Sequence, residues 1–162
     1  MAVFELSTQI NAPIWRCFDL ARSVELHENS SKTPERAIAG KTSGVLELGD
    51  TVTWEARHLG KTRRLTSQIV AMDRPNSFTV EMLEGSFASH RHEISFGTDG
   101  EGRTIMHEAF AYQAPFGPIG RLAEILFLTR YMRGLILRRN AVLKAQAESG
   151  PISPRPVESL NN

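Results

Sequence analysis

Cys17 is the only cysteine in the chain. An internal disulfide framework and a multi-cysteine zinc site are therefore both excluded. A lone thiol fits a reducing compartment. The opening Met1-Ala2-Val3-Phe4-Glu5 lacks a basic stretch followed by an apolar one, so the expectation is a cytoplasmic protein without a signal peptide. An excess of charge is also missing: 19 Lys and Arg against 18 Asp and Glu leave a net charge of +1. No global field then selects nucleic acid or membranes, and no nucleic-acid module or basic stretch with interleaved aromatics is present. The longest apolar segment is broken by Arg121, Glu124, Arg130 and Arg133, short of the ~20 mostly apolar residues of a membrane span. Gly117-x-x-Gly120 lacks the Gly-x-Gly-x-x-Gly spacing and the P-loop lysine, and no His-Glu-x-x-His occurs. The reading carries no cofactor and no metal.

What is present is a chain of 162 residues, 41% of them hydrophobic, enough for one domain with one sizeable core. Phe4, Leu6, Thr8 and Ile10 alternate with Glu5, Ser7 and Gln9, the pattern of a half-buried strand. Asn11 stands where a helix cap would be, with Pro13 in the first turn. Ile14 to Leu20 reads as a short helix, and Ser23 caps a second one through His27. Residues 29–41 are polar and rich in breakers, and are read as mostly loop. From Val45 onward the period is two. Strands are expected around Val52–His58, Leu65–Ile69, Phe78–Met82, Phe87–Phe96 and Arg103–Gln113. Turns fall at Gly49-Asp50, Leu59-Gly60-Lys61, Asp73-Arg74-Pro75-Asn76, Glu84-Gly85-Ser86 and Thr98–Gly102. Such short turns imply an antiparallel meander.

Residues 117–148 then read as one helix, about 45 Å long if unbroken at ~1.5 Å per residue. Its apolar residues, Ile119, Leu122, Ile125, Leu126, Leu128, Met132, Leu135 and Val142, spread over more than one face. A helix of that kind is expected to be deeply covered, here by a sheet curved around it, with room for a cavity between. Beyond Gly150 the chain holds Pro151, Pro154 and Pro156 and few large apolar residues, so 150–162 reads as a disordered tail after a domain at 1–149.

Four motifs in this order resemble the helix-grip fold of the START-like, or SRPBCC, superfamily. They are Ile10-Asn11-Ala12-Pro13 before the short helices, Leu48-Gly49-Asp50-Thr51-Val52-Thr53-Trp54-Glu55-Ala56, Asp73-Arg74-Pro75 followed by Phe78, and Pro115-Phe116-Gly117-Pro118-Ile119-Gly120 at the last helix. The likeness covers about residues 2–147 and is closest to bacterial stand-alone domains without an assigned reaction. It implies an α+β domain with a curved antiparallel sheet of about seven strands around a long C-terminal helix. The superfamily includes lipid-transfer domains and polyketide aromatase/cyclases, but one fold hosts many activities.

His90-Arg91-His92 is the sharpest chemical signal. Both histidines share a strand face with Ile94 and Phe96, and on the last strand Met106, Glu108, Phe110 and Tyr112 share another. With the hairpin centred near Gly100, His92 falls opposite Glu108 and His90 opposite Phe110, close enough to interact. Three readings stay open for this pair: a structural brace, a polar anchor in a ligand pocket, and an acid–base couple. Trp54, His58, Phe78 and Met82 join the expected concave face, with Leu126 and Met132 contributed by the helix. This mixture of aromatic, Met and polar side chains has the character of a binding pocket, and core packing accounts for it equally. His90, His92 and Glu108 are enough in number for three metal ligands, with His58 a fourth candidate, but there is one Cys and no His-Glu-x-x-His, and sets of this kind arise often by chance. Cys17 reads as a buried, inert thiol. Arg130, Arg133, Arg138, Arg139 and Lys144 read as a solvated face that complements the helix dipole.

Three functions follow. The first is binding of a small hydrophobic or amphipathic molecule such as a lipid, isoprenoid or polyketide-like compound. The second is cyclase or dehydratase chemistry with His92 and Glu108 as acid–base partners. The third is an interaction module for a protein or an anionic surface. The expected partner is a small hydrophobic ligand, with neither nucleic acid nor an integral membrane segment.

Overall fold

Side-chain alternation at the N-terminus becomes strand β1, Ala2–Ile10, with Phe4, Leu6 and Ile10 buried and Glu5, Ser7 and Gln9 exposed. The fold is that of a computed structural model, which describes residues 1–150 apart from the side chains of 124 and 125. The tail expected beyond Gly150 lies outside the described residues. Helices α1, Ile14–Ala21, and α2, Val24–Asn29, follow β1. Ser23 caps α2 by accepting a hydrogen bond from the Leu26 amide at 3.2 Å. Asn11 does not cap α1, whose N-cap is Pro13 with no side-chain bond. The Asn11 amide instead donates to Glu148 Oε1 at 2.9 Å, so the two ends of the fold are tied together.

The remaining strands are β2 Glu35–Gly40, β3 Thr51–His58, β4 Lys61–Asp73, β5 Ser77–Glu84, β6 Ser89–Thr98 and β7 Thr104–Gln113. They form one antiparallel sheet in the order β1-β7-β6-β5-β4-β3-β2. Turn chemistry explains the meander. Leu59 and Gly60 both have positive φ, 52° and 78°, as a tight two-residue hairpin requires. Asp99 Oδ1 accepts from the amides of Glu101 and Arg103 at 2.9 Å each, closing the β6–β7 loop.

β2 occupies a stretch that reads as loop in sequence. It is an edge strand, mostly exposed, with small residues and a bulge between Ala37 and Ala39, and so carries little hydrophobic alternation. It ends at Gly40, with φ of 71°, where a Cβ would lie 2.3 Å from the Thr51 carbonyl oxygen. Only glycine fits that approach.

The C-terminal helix is not continuous. It comprises α3, Gly117–Ala123, a π-helical segment, Glu124–Leu128, and α4, Thr129–Glu148. The wider π turn throws the apolar stripe before it out of phase with the stripe after it. Among the described residues of this helix, the buried side chains belong to α4, where Ile136, Asn140, Leu143 and Ala147 are covered. Ile119, Leu122, Leu126 and Phe127 are exposed, contrary to the expectation of a helix covered along its length.

Two apolar clusters bracket the space between sheet and helix. Ile10, Cys17, Phe18, Phe78, Phe96, Met106 and Leu143 belong to one, and Phe4, Leu6, Phe110, Tyr112 and Ile136 to the other. Among the described residues no helix is long and apolar enough to cross a membrane.

Candidate functional site

The β6–β7 hairpin sets the inward-facing side chains. Its register pairs His90 with Tyr112, His92 with Phe110 and Ile94 with Glu108. The expected pairing of His92 with Glu108 and of His90 with Phe110 is thus off by two residues, because the loop is centred on Glu101. A slip of two preserves which face each side chain takes. His92 and Glu108 still meet, along the diagonal, with Nε2 3.0 Å from Oε1. Each is only 4% exposed. The approach is oblique to the ring N–H, so the contact is an ion-pair distance rather than an aligned hydrogen bond.

Helix α4 completes this centre. Arg139 Nη2 lies 3.2 Å from Glu108 Oε1, and Asn140 Nδ2 donates to Oε2. Burial pushes the Glu108 carboxyl up, but His92, Arg139 and Asn140 together outweigh it and hold it below the ordinary carboxylate range. Burial pushes His92 down, with Arg139 adding to the effect and Glu108 opposing it. The centre is thus a carboxylate held by a guanidinium, with a neutral imidazole beside it. Arg139, expected on a solvated face, is half-buried at this centre.

His90 is next on the same face. Its ring stands 4.5 Å from that of Phe110, centre to centre. Burial, then the charges of His92 and Arg139, lower its pKa to about 3. Neither ring nitrogen of His90, nor Asn140 Oδ1, has a hydrogen-bond partner among the described residues. Buried polar atoms without a protein partner are uncommon, and a neutral imidazole offers one donor and one acceptor.

A second polar centre lies on the β2–β3 side. His27 Nε2 is 2.7 Å from Glu35 Oε2, and His58 Nε2 is 3.7 Å from Oε1. His58 Nδ1 and the Tyr131 hydroxyl are 2.9 Å apart. The His27 ring stacks on Trp54 at 4.0 Å. Burial raises Glu35, but the hydrogen bond and charge of His27, then the charges of His58 and Arg139, bring it below its ordinary value. Arg139 therefore acts on both carboxylates.

Both centres open onto one cavity of about 770 Å³ between sheet and helix. Of the residues expected there from sequence, Trp54, His58, Phe78, His90 and His92 line it from the middle strands, Glu108 and Phe110 from β7, and Met132 from α4. Three others do not. Met82 shares the parity of Phe78, but it lies between the two irregularities of the β4–β5 ladder and its sulfur sits beside Gly85. Tyr112 is wholly buried in the wall, its hydroxyl 2.8 Å from Thr129 Oγ1. Leu126 is 71% exposed on the π segment.

His27, Glu35, Tyr131, Arg139 and Asn140 are cavity residues that the sequence reading lacks. Asn140 left a trace: it interrupts the apolar stripe Ile136, Leu143, Ala147 at a core position. Cys17 is fully buried, and burial raises its thiol pKa, so it is a poor nucleophile. Among the described residues no group of three or more His, Cys, Asp or Glu is arranged to hold a metal ion.

A family model described as "Polyketide cyclase / dehydrase and lipid transport" matches residues 1–148. Comparison with curated proteins finds no match. Among solved structures, TTHA0849 from Thermus thermophilus is 19% identical, with 90% of this chain and 97% of that one aligned at a TM-score of 0.72. CV1439 from Chromobacterium violaceum is 8% identical, covering 91% and 98%, at 0.70. The major latex-like protein 151 from Panax ginseng is 17% identical, covering 90% and 97%, at 0.62. At these identities the likeness is one of fold.

Proposed function

Because the chain belongs to the polyketide cyclase/dehydrase and lipid transport family, within the START-like superfamily, we propose that it binds a small amphipathic molecule between sheet and C-terminal helix. The cavity carries this reading. Its volume of about 770 Å³ is of the size that small-molecule sites have. Phe78, Val80, Ile94 and Met106 from the sheet and Met132 and Leu135 from the helix give it apolar walls. A fatty acyl chain, an isoprenoid or an aromatic polyketide-like skeleton packs against such walls. The polar part of the molecule meets the unpartnered nitrogens of His90 and the centre at Glu108. A neutral hydroxyl or carbonyl group matches a neutral imidazole, which both donates and accepts.

The test is native mass spectrometry of the purified full chain, with solvent extraction and identification of any retained molecule. An Ala56→Trp variant fills the cavity from β3, where Ala56 is buried and lines it. Retention should be lost in that variant at unchanged secondary structure. A molecule retained equally by both proteins would place binding elsewhere and overturn the reading.

A second reading, turnover of the bound molecule, is favoured by one arrangement. Tyr131 presents a hydroxyl to the cavity, His58 holds it, and Glu35 stands behind His58. That order of groups can pass a proton to or from a bound carbonyl or hydroxyl. The couple weighed from sequence, His92 with Glu108, suits this less well. Glu108 is fixed as a carboxylate by Arg139 and Asn140 and has little tendency to take up a proton near neutral pH.

A further inference from the structure

We propose that the face formed by Phe116, Ile119, Leu122, Leu126 and Phe127 docks the mouth of the cavity onto an anionic lipid surface. Phe116 is 82% exposed and Ile119 80%, with the other three at half or more. Monomeric proteins rarely leave so many large apolar side chains together in water, and such patches mark interaction sites. Ile119 and Leu122, three apart on α3, share a side, and Leu126 and Phe127 are exposed on the π segment that follows. Phe116 precedes them with φ of 80°, a left-handed conformation unfavourable for a bulky residue. The backbone holds this strain while its ring points outward.

The face adjoins the cavity entrance. Phe116 belongs to both the patch and the cavity lining, and Leu59, exposed on the β3–β4 turn, lines the cavity as well. The Phe127 ring stacks on that of Tyr131 at 6.0 Å, and Tyr131 lines the cavity.

Charge decides the occupant. Between residues 115 and 135 the cations are Arg121, Arg130 and Arg133, and the only acid is Glu124. All three arginines are exposed, and none makes an ion pair among the described residues. Lys61 and Arg63 on β4 are exposed and line the cavity; Arg64 beside them is engaged by Glu55 at 2.8 Å. An apolar face rimmed by free cations matches anionic headgroups above an acyl layer. A second copy of the chain fits worse, since a symmetric contact would bring these arginines against one another. The docking rests on this surface alone and not on which molecule the cavity holds.

The experiment is flotation of the full chain with vesicles of phosphatidylcholine, with and without phosphatidylglycerol. Two variants accompany it: Phe116→Ser with Ile119→Ser, and Arg121→Glu with Arg130→Glu and Arg133→Glu. All five side chains are exposed, and melting curves verify that both variants fold. The chain should float with the anionic vesicles only. Each cation near such a surface contributes about fivefold, so the arginine variant should lose at least ~100-fold in partitioning. The apolar variant should lose at least ~10-fold. Absence of flotation with anionic vesicles overturns the proposal. So does flotation indifferent to the apolar variant, which would be adsorption by charge alone. A dimer in sedimentation that the apolar variant dissolves would assign the face to self-association instead.

Discussion

Arg139 on α4 reaches 3.2 Å from Glu108 on β7, so the C-terminal helix neutralises the carboxylate that the sheet buries. Without that guanidinium, Glu108 would keep only Asn140 and a neutral His92. Helix docking and cavity chemistry therefore depend on the same contact.

Arg139→Met should destabilise the fold by about 2–3 kcal/mol, because it leaves a buried carboxylate short of its cation. His92 can then take up a proton in its place, since the arginine that disfavours the imidazolium is gone. Its folded pKa rises, and the rescue is present at low pH and fades as pH rises through that value. The loss should thus be largest at alkaline pH and shrink toward about pH 6. Urea denaturation of wild type and variant across this range measures it. A loss independent of pH would show that His92 does not respond to Arg139.

Asn140→Asp keeps the shape of the side chain and replaces a donor with a second carboxylate against Glu108. Two carboxylates sharing a buried site cannot both ionise cheaply. The variant should lose more than about 2 kcal/mol at neutral pH. It should recover part of this as pH falls below about 5 and the pair shares a proton. Melting temperatures at several pH values give the comparison, and a variant as stable as wild type at neutral pH would mean that water reaches Glu108.

The sheet was legible because its turns carry their own chemistry: Leu59-Gly60 and Asp99 mark their hairpins whatever packs on them. The His92–Glu108 contact was legible as a shared face, since parity along a strand survives a slip of two. The register was not, because the Thr98–Gly102 loop admits more than one centre. Glu35 was hidden on a short edge strand where Ile38 faces outward and Glu35 inward, which inverts the usual alternation. Arg139 was hidden because helical periodicity does not say which cation lies over the sheet. Leu126 was misplaced for a related reason: nothing in the spacing announces a π turn, and one such turn rotates everything before it.

Stability should fall as pH drops from about 6.5, the ordinary imidazole value, toward 3, the folded value for His90. In this window the unfolded chain binds a proton at His90 that the native chain excludes, so stability rises with pH. Each unit of displacement is worth about 1.4 kcal/mol, and His90 sits against the rings of Phe87 and Phe110 with Arg139 disfavouring its charged form. His90→Phe removes one of two titrating imidazoles and should reduce the slope in this part of the profile, while the share of His92, pushed down by burial likewise, and the acid limb from Glu108 and Glu35 persist. Isothermal urea titrations between these pH values supply the slope; an unchanged slope would place His90 in contact with water.

Tyr131→Phe distinguishes holding a molecule from converting it. The hydroxyl contributes one hydrogen bond to His58 at the edge of the cavity, and its removal should cost the fold about 1 kcal/mol or less. If the cavity only binds, affinity for an identified ligand should change by no more than about tenfold, the worth of one hydrogen bond. If Tyr131 exchanges a proton with the bound molecule, kcat should fall by about 100-fold or more while affinity stays within that limit. His58→Gln supplies the second arm: it removes the base behind the hydroxyl but leaves a side chain able to hydrogen-bond it. Equal loss of kcat in both variants would assign Tyr131 and His58 to one proton path. Loss in Tyr131→Phe alone would make the hydroxyl a positioning group. Turnover surviving intact in both would separate this cluster from any reaction in the cavity.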